Sequence, residues 1–335
     1  MIQETEKGRA MKISKTWRHR AAIGAALILF TCAFAAVSKD SAAPKGPKGK
    51  VYATPDAAVE AFVGAIREYN LDTLLAIFGK GAERIFVTDD PVADENARKQ
   101  FLKLYDEKHA LTPRDDKNKK TMILAVGNDP WPLPIPLVKA GSGWAFDTAA
   151  GIEEVINRRI GRNELSAIQT CLAVGDAQRE YYRLDRDGDG ILEYAQKFRS
   201  TPGKQDGLYW PVKEGEPQSP IGEFVATAST EGYGPGSTAY HGYHYRLLTR
   251  QSSAAPGGAY DYMVQKKQIG GFAVVAFPAA YGDSGIMTFM LSHSGIVYQK
   301  DLGKETQAKA EKIKSFDPAG WKKVDDKDLQ IIPEP

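Results

Sequence analysis

The sequence predicts an α+β protein in two parts: N-terminal helices with a small antiparallel meander, then a long helix packed on a C-terminal antiparallel sheet. Three observations predict it. Apolar residues recur at helical spacing through residues 54–109, and the pattern turns strand-like through 121–146. One long helical pattern then runs from 151 to about 183. Beyond it, short runs rich in Tyr, Val, Ile and Phe, separated by Gly turns, occupy 242–298.

Lys12, Lys15, Arg18 and Arg20 precede an uncharged run over 21–37, AAIGAALILFTCAFAAV. A basic start, an apolar middle and the small-x-small site Ala33-Phe34-Ala35 make 1–35 a secretory signal peptide cleaved after Ala35. A retained anchor is the alternative, because 17 apolar residues just span a bilayer. The Lys/Pro/Gly spacer that follows favours cleavage, which leaves no stable membrane span. Lipidation of Cys32 is a third reading, against which the preceding Thr31 fits poorly. The expected location is periplasmic or secreted.

Removing the signal changes the charge. It carries six of the 44 Lys and Arg and two of the 42 Asp and Glu, leaving 38 basic against 40 acidic residues. A mature net charge of −2 gives no reason to expect a nucleic-acid partner. Cys171 is then the single cysteine, so no internal disulfide can staple the fold. It lies among Leu165, Ile168 and Leu172 at helical spacing and reads as a small buried hydrophobe.

Residues 36–50 read as a flexible linker, and 51–150 as the N-terminal α+β domain. Thr54-Pro55-Asp56 starts a helix, with Thr as the cap, Pro in the first turn and an acid beside the helix dipole. A second helix runs from about Asp72 to Gly79, and 92–109 reads as an amphipathic surface helix. Strands are expected at 121–126, 133–138 and 143–146. The helix from 151 opens a C-terminal domain over 151–325, with Gly161 and Gly175 as places for a kink. A short helix is expected near 194–198. The Pro- and Gly-rich stretch 200–238 reads as irregular but packed, through Tyr209, Trp210, Phe224 and Tyr233. Strands follow at 242–249, 259–264, 271–277, 286–291 and 296–298. Residues 272–277 are apolar on both faces and should form an interior strand under the long helix. The two sets of strands should make separate sheets. A polar tail, 326–335, closes the chain, with Trp321 docking it.

Several ordered motifs carry a resemblance across about 54–324. They are Pro134-Ile135-Pro136-Leu137-Val138, Gly161-Arg162-Asn163-Glu164-Leu165, Asp206-Gly207-Leu208-Tyr209-Trp210-Pro211, Ser219-Pro220, Gly271-Phe272-Ala273, the run Tyr281-Gly282-Asp283-Ser284-Gly285-Ile286-Met287-Thr288-Phe289, and Asp301-Leu302-Gly303. The chain resembles a bacterial exported family catalogued as domain of unknown function (DUF) 2950, which implies no activity. More weakly, 151–300 is similar to the globular part of type IV pilin-like proteins. That similarity rests on the long helix with Tyr181-Tyr182, the Tyr-Gly-x-x-Gly turn and Ser294-Gly295-Ile296-Val297-Tyr298. No Gly-Phe prepilin site precedes the apolar N-terminus, so the resemblance implies a fold and not a filament.

The sharpest chemical signal is Asp185-x-Asp187-x-Asp189-Gly190-x-Leu192. Alternate acids in a tight loop converge oxygens on a hard cation, and Gly in sixth place permits the turn. Calcium is the expected cofactor, with Asp185, Asp187, Asp189, the Ile191 carbonyl and Gln196 as ligands. Gln196 stands where a bidentate Glu is usual and weakens the set. An Asp/Gly turn between helices is the competing explanation.

Other constellations fail as catalytic centres. Gly282-Asp283-Ser284-Gly285 is explained by turn chemistry rather than a serine nucleophile. His241 and His244, three apart on a strand, face opposite ways, and His293 sits in a turn. Tyr233, Tyr240, Tyr243, Tyr245, Tyr260 and Tyr262 read as core first and as a glycan or peptide surface second. No catalytic residues are assigned. The chain reads as an exported envelope or secreted module that binds or assembles, with an envelope protein or extracellular polymer as partner. The alternative is a hydrolase of cell-wall or extracellular polymer using an acid pair such as Asp206 and Asp283.

Overall fold

The first helix, α1 (Pro55–Arg67), starts because Thr54, in extended backbone, accepts a hydrogen bond from the Ala57 N–H at 3.1 Å. α2 (Leu71–Phe78) is capped the same way by Asn70 and ends at Gly79, whose φ of 84° stops the helix. The short α3 (Glu83–Phe86) follows. α4 (Pro91–Glu107) is capped by Asp90 and buries none of its residues completely, as expected of an amphipathic surface helix. The computed structural model describes residues 49–329 except 80 and 115–119. The signal segment, Cys32, the Ala35 site and most of the linker lie outside the described residues, as do the last six positions of the tail.

The first sheet is antiparallel: β1 (His109–Pro113), β2 (Thr121–Val126), β3 (Trp131–Pro132), β4 (Leu137–Ala140) and β5 (Gly143–Phe146). Its order is β1-β2-β4-β5, with β3 also on β2. The strand expected at 133–138 begins only at Leu137, because Pro134 and Pro136 carry no N–H for a ladder. α1 and α2 lie on this sheet through Phe62, Phe78 and Phe146, whose ring centroids are 4.6–5.6 Å apart.

α5 (Thr148–Tyr181) runs unbroken for 34 residues, about 51 Å, straight through Gly161 and Gly175. Gly175 is there for contact: a Cβ would lie 3.1 Å from Leu291 Cδ2. The start of α5, at Val155, packs with the first core. From Ala167 to Tyr181 it packs on Phe272, Val274, Ala276, Phe289 and Leu291 of the second. The boundary expected near Ala150 therefore falls inside the first turns of a helix that serves both cores.

No helix forms at 194–198. The fully buried Gln178 side chain takes both backbone groups of Ala195, accepting from its N–H at 2.9 Å and donating to its carbonyl at 2.8 Å, so neither is left for a helical bond. A helix does form where irregular chain was expected: α6 (Gly222–Glu231), closed by Gly232 at φ 105°. Residues 223–231 contain neither Gly nor Pro, and the breakers of this stretch all flank them.

The second sheet is antiparallel in the order β14-β13-β12-β11-β6 and shares no strand with the first. Its members are β6 (Tyr243–Leu248), β11 (Ala273–Pro278), β12 (Met287–Ser292), β13 (Val297–Asp301) and β14 (Lys322–Lys323). β11 lies between β12 and β6 with all six residues buried, α5 covering one face. Beneath the other face lie Leu248, Tyr262 and Phe316, against which Trp321 docks the end of the chain. The strand expected at 259–264 divides into two ribbons: β7 (Arg250–Gln251) with β8 (Tyr260–Asp261), and β9 (Met263–Val264) with β10 (Lys267–Gln268). The break falls at Tyr262, whose N–H donates to the Thr249 carbonyl on one side while its own carbonyl accepts from Gly270 on the other. Gln265 and Lys266, both at positive φ, make the turn between β9 and β10. α7 (Thr306–Lys312) and α8 (Asp326–Leu329) complete the described chain. Among the described residues no helix is long and apolar enough to cross a membrane.

Candidate functional site

The acidic loop leaves the C-terminal end of α5. Both oxygens of Asp185 are engaged, accepting from Gly188 N at 2.8 Å and Gly190 N at 2.7 Å. The hydrogen bond from Gly190 is the largest cause of its depressed pKa. One carboxylate oxygen each from Asp185, Asp187 and Asp189 lies within 4.8 Å of the others. The fold also brings in a cation of its own. Lys267, on β10, places its ammonium 2.7 Å from Asp187 Oδ2, 2.6 Å from Asp189 Oδ2 and 3.5 Å from Glu193 Oε1. Asp187 and Asp189 together hold the lysine well above its usual pKa, and Lys267 in turn pulls Asp189 down. The other two expected ligands do not join the cluster by side chain. Gln196 donates its amide to the Lys266 carbonyl at 2.8 Å, and Ile191 sits on the exposed rim with its N–H on Asp189. The loop is thus pinned to the β9–β10 hairpin by a lysine some 80 residues downstream of the acids.

The groups that invite catalytic readings each have a structural partner. Asp206 accepts from Lys197, and from both the N–H and the hydroxyl of Thr201. Burial alone would raise its pKa, but these donors outweigh it and hold the acid down at about 2. Asp283 pairs with Arg84 at 2.7 Å. The Ser284 hydroxyl accepts from Ala280 N and donates to Ala280 O, closing its own turn. Burial pushes the Cys171 thiol up to about 12, which leaves it inert. Sequence spacing shows no acidic partner for His241, yet the fold supplies Glu231 at 3.1 Å, while His244 faces the Thr238 carbonyl at 2.7 Å. Of the tyrosines, Tyr233, Tyr243 and Tyr262 are buried core and Tyr260 is exposed.

A second polar region lies on the middle of α5. Asn163 donates to the Ser284 carbonyl, and Glu164 Oε1 accepts from both Ile286 N and Met287 N, each at 2.9 Å. Two motifs far apart in the chain, 161–165 and 281–289, therefore meet as a helix face gripping a strand entrance. Arg84 of α3 joins them, reaching Asp283 and the Gly282 carbonyl. Arg159 donates to the carbonyls of Arg84 and Ile85 at 2.8 and 3.0 Å. Nearby, the buried Asp90 caps Ala93 and accepts from Tyr233 Oη and Gly242 N, each at 2.8 Å. Sequence reasoning singled out neither Lys267 nor the arginines.

The remaining motifs also mark packing sites. Gly151 seats α5 on Pro134 and Ile135, and Arg186 lies over the rings of Tyr181 and Trp210 at 4.8 and 5.0 Å. No curated protein and no solved structure matches the chain. A family described as Protein of unknown function (DUF2950) matches residues 49–324, so the chain belongs to the DUF2950 family.

Proposed function

We propose that this chain is an exported envelope or secreted protein that works as a non-enzymatic binding or assembly module. One observation carries the reading. The two acids of the hydrolase alternative are each closed into a separate ion pair, Asp206 with Lys197 and Asp283 with Arg84. A general acid needs a raised pKa, and that of Asp206 is depressed to about 2. The long α5 lying on an antiparallel sheet is compatible in fold with the pilin-like resemblance. Fractionation of producing cells followed by N-terminal sequencing tests the exported part. The envelope or medium should yield a chain beginning close to Ala36; a cytoplasmic chain retaining residues before Ala35 would overturn it.

Calcium belongs to the same proposal, as a weak structural ligand of Asp185, Asp187 and Asp189 that exchanges with the Lys267 ammonium. Its dissociation constant should be on the order of 10⁻⁴ to 10⁻³ M, the range of extracellular modules. Melting is compared with calcium and with chelator, in the wild type and in Lys267→Met. Removing the competing ammonium should enlarge the calcium-dependent rise in midpoint. Midpoints indifferent to calcium in both proteins would leave Lys267 as the loop's only cation.

A further inference from the structure

One edge of the second sheet is closed at both ends and open in the middle. Among the described strands, β6 pairs only with β11. The Gly242 carbonyl accepts from Ala279 N at 2.9 Å, which fixes the alternation of the ladder. Residues 244, 246 and 248 turn their backbone groups to β11, and 245 and 247 turn theirs outward. Tyr240 exchanges two hydrogen bonds with Tyr243 at one end of the edge, and Tyr262 donates to the Thr249 carbonyl at the other. Between them the outward N–H and C=O of Tyr245 and Leu247 meet no partner among the described residues.

A cleft of about 220 Å³ lies along this edge, lined by the consecutive residues 246–250 and by Lys314, just after α7. Its charged lining is all cationic: Arg246, Arg250 and Lys314. Backbone carbonyls hold two of them in place, Arg246 on Ala310 O at 2.7 Å and Lys314 on Glu311 O at 2.9 Å. Burial pushes the Arg246 pKa down against the attraction of Glu311. Of the three, Arg250 alone meets a carboxylate, that of Asp261 at 3.9 Å, where both side chains are more than half exposed. The space is smaller than pockets that enclose a drug-sized ligand, so an occupant lies along the strand.

We propose that the β6 edge takes up an extended acidic peptide segment of a partner protein, added to the sheet as a strand with its carboxylates against Arg246, Arg250 and Lys314. Two observations choose this occupant. An added strand uses outward N–H and C=O groups together, as the edge at 245 and 247 offers them. A compact anion such as phosphate would use the cations but leave the Leu247 carbonyl turned towards its charge. Cations along an edge also repel the same edge of a second copy, while they attract an acidic strand. The inference rests on the binding reading above and names the chemistry of the partner.

The test titrates the purified exported chain with a fluorescein-labelled acidic peptide, TEVDTEVD, and follows its anisotropy. The basic peptide TKVKTKVK and inorganic phosphate serve as comparisons. The acidic peptide should bind saturably, about tenfold more tightly than the basic one. Two further acidic peptides carry backbone N-methyl groups on one or the other alternate set of residues. An added strand donates to β6 from one set only, so one methylated peptide should bind like the parent and the other should lose binding. Arg250→Gln and Lys314→Gln should each weaken binding about threefold, and together about tenfold, as exposed ion pairs do. In the free chain the amides of Tyr245 and Leu247 should exchange faster than those of Arg246 and Leu248, and the acidic peptide should slow them. Equal affinity for both charges, no binding of either, or indifference to both methylated sets would overturn strand addition. So would phosphate displacing the peptide at equal concentration, or a dimer of the chain that protects the same two amides. Failure of the acidic peptide with a chain that still sediments with wall polymer would count against the edge alone. Peptide uptake by a chain that cleaves that polymer would count against the non-enzymatic reading alone.

Discussion

Asp90→Ala is expected to lower the melting midpoint by about 10 °C. The carboxylate is 4% exposed and accepts three hydrogen bonds, from Ala93 N, Tyr233 Oη and Gly242 N. The first caps α4 and contributes about 1 kcal/mol. The other two tie α4 to the entrance of β6, and losing their charged acceptor leaves buried donors unsatisfied, for about 3 kcal/mol more. For a chain of this size each kcal/mol moves the midpoint by roughly 2–4 °C. Asp90→Asn keeps Oδ1 for the cap but turns its amide nitrogen towards the two donors that share Oδ2, so it should fall between. A midpoint within about 2 °C of wild type for Asp90→Ala would mean that these donors find other acceptors.

Two glycines on one helix should respond to alanine with opposite signs. In a helix interior, Gly→Ala ordinarily stabilises by up to about 1 kcal/mol. Gly161 has nothing within 4 Å of its missing Cβ, so Gly161→Ala should follow that rule. At Gly151 the same atom would lie 2.4 Å from the Pro134 carbonyl oxygen and 2.7 Å from the Ile135 Cα. Those are backbone atoms held by the β4 entrance and cannot rotate away as a side chain would. Gly151→Ala should therefore destabilise by about 3 kcal/mol, the upper part of the overpacking range. Equilibrium denaturation of both variants measures this directly. Stabilisation by both would show that α5 does not seat on the first sheet in this way.

Much of the frame was legible because local chemistry dictated it. Thr54-Pro55-Asp56 announces a helix start by its caps, and the double-faced apolar run at 272–277 could only be an interior strand. What stayed hidden depended on distant partners or on window averaging. The exposed, mixed composition of β1 gives no alternation, and the strand exists because β2 offers it a ladder. α6 was masked by breakers that surround it without entering it. The run at 194–198 has helical spacing, but a single glutamine on α5 takes both backbone groups of Ala195. At the sites the same division holds. Three alternating acids could be read as a cation loop, but the lysine that answers them lies on another hairpin.

Incubating the purified chain with isolated cell-wall polymer separates binding from hydrolysis most directly. The chain should sediment with the polymer and release no soluble reducing ends, and Asp206→Asn and Asp283→Asn should sediment equally well. Release of reducing ends by the wild type, abolished in either variant, would contradict a non-enzymatic module and make that acid catalytic.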